Sequence, residues 1–174
     1  MTDAQPIASL LRDTTGDASL RTWRIEDAPA LLSAWTDPDV ARWNGVPPEP
    51  SIELATKWLT GASRQTTASP SIDIVLVDDN DQVLGEVGFV IDRQRQVAEV
   101  GFWVGAAHRR HGVGSRLLAA ARQLAPQLEL ERAFAISEAE NEVAIALLGA
   151  CGWPEVATTT SKRRAFLLPI PSPT

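Results

Sequence analysis

The stretch from Ile72 to Val104 constrains the fold more than any other part of the chain. Three apolar, β-branched runs follow one another there, Ile72–Val77, Val83–Ile91 and Val97–Val104. Asp78, Asp79, Asn80 and Asp81 fill the first gap, and Asp92 to Gln96 fill the second, so each gap is a cluster of turn-forming residues. The pattern predicts an antiparallel meander of three strands. A sheet of that kind needs a covered face, and the flanking segments must supply the cover.

Helical spacing dominates those flanks. After a short alternating strand at Leu20–Arg24, Asp27 offers an N-cap, Pro29 falls in the first turn, and Leu31, Leu32 and Trp35 share a face. Asp37-Pro38 repeats the start signal for a short helix through Trp43, and Pro47, Pro48 and Pro50 then break the chain. Ser51 caps a third helix, with Ile52, Ala55, Trp58 and Leu59 at helical spacing, and Gly61 to Ser71 reads as a connection. Beyond the meander, Gly112–Ala125 carries Val113, Leu117, Leu118, Ala121 and Leu124 on one side and stops at Pro126. A strand at Ala133–Ser137, a helix opened by Asn141 and ended at Gly152, and a closing strand at Arg163–Leu168 complete the pattern. There is no internal repeat and no second core. The expected class is α+β, helices on a mainly antiparallel sheet, divided into an N-terminal arm or edge strand (1–19), one domain (20–168) and a Pro-rich tail (169–174).

The remaining composition narrows the partners. The net charge of −6 argues against a broad phosphate-tracking surface, so no nucleic acid is expected, and a cationic substrate is electrostatically favoured. No apolar run is long enough to span a bilayer, and Met1 to Asp17 lacks the pattern of a signal peptide, which predicts no membrane partner and a cytoplasmic location. One cysteine, Cys151, and two histidines without ligand spacing give no internal disulfide and no metal site.

Chemistry concentrates in Arg109-Arg110-His111-Gly112-Val113-Gly114, between a strand and a helix. Glycines there let backbone approach a ligand. The free amides and positive dipole end of the helix suit an anion such as a pyrophosphate, with Arg109 and Arg110 adding charge-assisted donors. A P-loop would require Gly-Lys-Ser/Thr, but Ser115 and Arg116 follow Gly114. A dinucleotide fingerprint would require a third glycine where Leu117 stands. Neither fits.

In this strand-to-helix context the sequence resembles the GNAT superfamily of N-acetyltransferases. Phe102-Trp103-Val104-Gly105-Ala106 followed by Arg109 to Gly114 keeps the register of the family signature, with Ala106 in place of its proline, and Asn141 and Gly152-Trp153 match downstream features. Leu20-Arg21, Asp27-Ala28, Asp37-Pro38 and Trp58-Leu59 are similar to the branch that holds the ribosomal-protein N-terminal acetyltransferases, so the resemblance runs from about Leu20 to Leu168. It implies a sheet whose central strands splay into a cleft for acetyl-CoA. It assigns Phe102, Trp103 and Val104 to the pantetheine arm and the thioester carbonyl. Arg109, Arg110, His111, Gly112, Val113 and Gly114 fall to the pyrophosphate, and Asn141 to the pantetheine, a role compatible with capping its helix. The acceptor it implies is a primary amine, on a protein N-terminus or a small molecule, and the assembly a monomer or homodimer.

An ammonium must lose a proton before it can attack a thioester, so a base is needed. Glu99 in Ala98-Glu99-Val100-Gly101 is the first candidate, against the alternative that it only pairs with Arg93 or Arg95. Glu86, between Gly85 and Gly88, is the second. The family's usual tyrosine acid is absent. Leu148 stands at its position, Ala144 replaces a serine found in some relatives, the chain contains no Tyr, and Ser137 is the weak donor nearest to hand. A CoA-binding module without catalysis is therefore the alternative function. The Trp residues read mainly as core, with one or two near Asn44 to Pro50 available to an acceptor pocket.

Overall fold

In the computed structural model, residues 18–61, 71–158 and 160–170 are described. The meander appears as β2 (Ser71–Asp78), β3 (Val83–Asp92) and β4 (Val97–Val104), and β1 (Ala18–Thr22) pairs antiparallel with β2. β5 (Arg132–Glu138), β6 (Glu155–Val156) and β7 (Arg163–Leu167) extend the sheet to the order β1-β2-β3-β4-β5-β7-β6. Every neighbouring pair is antiparallel except β4 and β5, which run parallel. The two-residue β6 lies in a stretch with no alternating run to announce it.

The sheet has two covered faces. Ile74, Leu76, Val87, Phe89, Ile91, Ala98 and Val100 point to one, where α4 (Val113–Leu124) lays Leu117, Leu118, Ala121 and Leu124 against them. Each such Leu or Phe contributes roughly 1.5–3 kcal/mol on burial, which makes this layer the main source of stability. The opposite face is covered by α1 (Ala28–Thr36), α2 (Pro38–Trp43) and α3 (Ile52–Leu59), whose own small core is Ala28, Leu31, Trp35 and Ala55 with Trp23 and Trp58 packed on it. α5 (Glu142–Ala150) completes the fold and buries Leu148 and, just past its end, Trp153. Gly152 takes φ +75° at that end, the left-handed stop its position suggests.

Two of the expected caps form. The Asp37 carboxylate accepts from the amides of Asp39 and Val40, and the Ser51 hydroxyl accepts from Leu54 N–H. Asp27 is different. Its side chain makes no cap to α1; it forms a two-pronged pair with Arg21, at 2.7 and 2.9 Å, and accepts from Arg24 N–H at 2.8 Å. Arg21 also reaches Asp81 at 2.8 Å, so the β2–β3 turn, β1 and the start of α1 are tied through one buried guanidinium. Burial works against the charged form of Asp27, but the bonds from Arg21 and the Arg24 amide outweigh it and hold the carboxyl below its ordinary range. The arm to Asp17, most of the Gly61–Ser71 connection and the end of the tail lie outside the described residues. No described helix is long and apolar enough to cross a membrane.

Candidate active site

The parallel pairing of β4 with β5 covers only Val97, Ala98 and Glu99, opposite Arg132, Ala133 and Phe134. From Val100 onward β4 keeps its β3 partner, up to Val104 opposite Gly85, and has no β5 partner. The sheet therefore opens along the second half of β4. Gly105 donates to Leu84 O at 2.9 Å, across to β3, while Gln96 O accepts from Glu131 N–H on the β5 side. Strand alternation then turns the backbone groups of Phe102 and Val104 into the opening and those of Trp103 toward β3. Phe102 and Val104 thus present unpaired-edge amides to the cleft, whereas Trp103 contributes to the site by its side chain on the α1–α3 face.

At the mouth of the opening the chain turns through Ala106–His108 into the glycine loop. Arg110 has φ +66° and Gly112 φ +77°, and Gly112 is the N-cap of α4 with no side chain capping the helix. The space around a Cβ on Gly112 is open, so its left-handed backbone is what calls for glycine. Uncapped first-turn amides and the helix dipole suit a phosphate. Gly114 has a different reason. A Cβ there would lie 2.6 Å from Leu147 Cδ2, so this glycine lets α4 and α5 approach each other. Arg110 and His111 are exposed on the loop and Val113 is buried in α4. Asn141 caps α5, its Oδ1 accepting from Ala144 N–H at 3.2 Å, which uses the side-chain oxygen alone.

The Arg109 side chain departs from the expected phosphate contact. It donates to Asp37 at 2.8 Å, to Asp39 at 2.9 Å and, through Nε, to Val104 O at 3.2 Å. It therefore locks the loop to α2 and to the end of β4. Partial burial opposes the charge on Asp37, but the hydrogen bonds from Arg109 and from the Val40 and Asp39 amides prevail and hold its carboxyl below the ordinary range.

Glu99 and Glu86 lie on the same face of the sheet in different surroundings. Glu99 is exposed, opposite Val90 and Phe134 in the paired half of β4. Glu86 is 8% exposed, stands opposite Trp103, and accepts from Trp103 Nε1 at 2.9 Å. A Cβ on Gly88 would meet Asp73 Oδ1 at 2.6 Å and Glu86 Oε1 at 3.5 Å, so the bare glycine leaves room for two carboxylates to converge over the sheet. Glu86 also lines a cavity of about 390 Å³ with Leu31, Trp35, Val40, Asn44, Val46, Pro47, Trp58 and Trp103. Two Trp residues read as core, Trp35 and Trp58, are thus walls of a cavity as well, together with Trp103. Trp43 does not line it and instead lies under the Arg42 guanidinium, 4.3 Å from its ring centre. Leu148 is buried, and the Ser137 hydroxyl donates to Glu138 O at 3.3 Å. No group of three or more His, Cys, Asp or Glu among the described residues could hold a metal ion.

A comparison with protein families matches residues 18–153 to the acetyltransferase (GNAT) domain. The chain belongs to the GNAT acetyltransferase family. Among curated proteins it is similar to an uncharacterized N-acetyltransferase p20 of Bacillus licheniformis, 29% identical over 136 residues and 75% of each chain. Solved structures of like fold include RimL, a ribosomal L7/L12 alpha-N-protein acetyltransferase in complex with coenzyme A, with a TM-score of 0.75, 15% identity and coverage of 92% of this chain and 98% of that one. Spermidine N-acetyltransferase of Vibrio cholerae, in complex with CoA and spermine, gives a TM-score of 0.74, 17% identity and coverage of 88% and 97%. Acetyl-CoA is accordingly the acetyl-donor cosubstrate of this chain.

Proposed function

We propose that the protein transfers the acetyl group of acetyl-CoA to a primary amine by direct attack, with Glu86 taking the proton from the ammonium. One observation carries the choice of Glu86 over Glu99: Glu86 lines a cavity that shares Trp103 with the open half of β4, while Glu99 sits exposed in the closed half. The amine nitrogen adds to the thioester carbonyl, the N–C bond forms and the C–S bond breaks. The products are the amide, CoA and the proton that began on the ammonium. The Phe102 and Val104 amides face the position where the carbonyl oxygen gains charge, and one such donor is worth roughly 3–4 kcal/mol in acyl transfer. The first turn of α4 and the loop from Arg109 hold the pyrophosphate through backbone amides, with Arg110 and His111 free to face it, and Asn141 reaches the pantetheine with the side-chain NH2 that its capping bond does not use. With Leu148 buried where the family's acid stands, the thiolate leaves to solvent, as its thiol-like pKa near 8.5 allows.

Two of the structurally similar proteins act, by their names, on a ribosomal protein and on spermidine, and both acceptors are amines. The reading includes a cytoplasmic monomer or homodimer. Thiol release measured with acetyl-CoA and an amine panel tests it. Glu86→Gln is expected to lose about 10²- to 10⁴-fold in turnover with unchanged CoA affinity, while Glu99→Gln stays within about threefold. The deficit of Glu86→Gln shrinks as pH rises, because free amine becomes abundant. A wild-type chain that binds CoA and releases no thiol with any amine would leave a binding module in place of an enzyme. The reverse ranking of the two variants would return the base role to Glu99.

A further inference from the structure

Resting on that reading, we infer that the acceptor is a primary amine carrying a single cationic head on a compact aromatic or apolar body, seated in the cavity between Glu86 and the Trp walls. The cavity is bounded by α1, α2, α3, β3 and β4, and its about 390 Å³ falls at the small end of the range for small-molecule sites. Trp35, Trp58 and Trp103 present flat apolar surfaces, with Leu31, Val40, Val46 and Pro47 between them. These walls are fixed. Trp58 stands edge-on to Trp35 at 6.3 Å and edge-on to Trp23 at 6.2 Å, Trp23 lies 6.3 Å from Trp103, and Trp103 is held by Glu86. An interlocked aromatic set of this kind matches a rigid ring or branched alkyl group and gains little from a flexible chain.

The polar lining sets the head group. Among the described residues that line the cavity, Glu86 is the one charged side chain and Asn44 the other polar one. An extended polyamine carries several cations spaced along its length, and each cation left among indoles without an anion loses its hydration uncompensated. A protein N-terminus brings backbone N–H and C=O groups that need partners within a few ångströms of the amine, and an apolar wall offers few. One ammonium on Glu86 with the body against the indoles satisfies every surface. The ring faces also favour a cation on the way in.

Initial rates of thiol release with 2-phenylethylamine, ethylamine, spermidine and an Ala-terminated tetrapeptide test the inference. The expected order puts 2-phenylethylamine at least tenfold above spermidine and the tetrapeptide in kcat/KM. Trp58→Ala is expected to raise KM for 2-phenylethylamine about tenfold, leave ethylamine within about twofold, and leave CoA affinity unchanged. Because Trp58 also packs against the small core, wild-type indole fluorescence titrated with 2-phenylethylamine in the presence of CoA supplies a second readout, expected to saturate for this amine and not for spermidine. Preference for spermidine or the tetrapeptide, or a Trp58→Ala loss equal for all amines, would overturn the aromatic acceptor and leave acetyl transfer standing. No thiol release with any of the four would overturn both.

Discussion

On the proposed cofactor side of β4 the parts run from Phe102 to Gly114, with Asn141 added, and most are backbone groups set by strand register and left-handed turns. On the proposed acceptor side they come from α1, α2, α3, β3 and β4, and they are side chains. The difference separates two kinds of information. A backbone site is written in a short sequence, because glycines and a strand-to-helix junction are local, whereas a side-chain pocket exists only after distant elements pack. The cofactor side can therefore stay constant while the acceptor side is rebuilt by changes in helix faces. Asp37 and Arg109, 72 residues apart, are the point where the two sides are bolted together.

Five substitutions, the last of them read across pH, press on this comparison. The largest expected effect is on the frame of the acceptor side. Arg21→Ala leaves the Asp27 carboxylate buried without its partner, and the loss is expected to be about 3–5 kcal/mol by urea unfolding. Next comes Gly114→Val, where the added carbons meet Leu147. We expect about 1–3 kcal/mol from overpacking, read as a lower melting temperature, together with weaker CoA binding in a calorimeter. If CoA binding fell with no loss of stability, Gly114 would belong to the phosphate site alone. Gly112→Ala should cost about 1–2 kcal/mol for a left-handed alanine, with CoA affinity falling and amine KM unchanged.

Asp37→Asn keeps a capping oxygen but removes the charge opposite Arg109, at about 0.5–1 kcal/mol of stability. Its more telling readout is kinetic. Both CoA affinity and amine KM should move, whereas changes confined to either side move one of them. The smallest effect is the acid dependence of stability. Asp27 and Asp37 both titrate below their ordinary value of 3.8 in the folded chain, so their contribution is complete above that value and disappears as pH falls through the lower folded values. Asp27→Asn should flatten the unfolding free energy against pH in that acid window and leave it parallel to wild type at neutral pH.

The contrast also explains what could be read before folding. The meander, the caps at Asp37 and Ser51, the stop at Gly152 and the glycine loop each depend on residues within a few positions of one another, and the sequence carries them openly. Asp27 could not be placed that way, because a carboxylate before a helix reads as a cap until Arg21 is seen beside it in space. Arg109 reads as a phosphate donor for the same reason, until α2 brings Asp37 and Asp39 against it. Trp35 and Trp58 have the spacing of core residues and are packed like core on one side, and only the tertiary arrangement exposes their other surfaces to a cavity. The proposed rank of Glu86 over Glu99 rests on which half of β4 loses its β5 neighbour, which is a property of the sheet and not of either strand alone.

That missing neighbour has a consequence for the chain as a material. Beyond Glu99, β4 has no β5 neighbour in the middle of a seven-stranded sheet, and on the proposed reading the pantetheine of acetyl-CoA would fill the gap as a substitute strand. The cosubstrate would then be part of the secondary structure while it is bound. Amide hydrogens of Phe102 and Val104 should exchange with solvent faster than those of Ala98 and Trp103 in the free protein and slow down when CoA is added. By mass action, CoA at a hundred times its Kd would add about 2.7 kcal/mol to the folded state, so the resistance of this protein to heat and proteolysis rises and falls with the supply of the molecule it consumes.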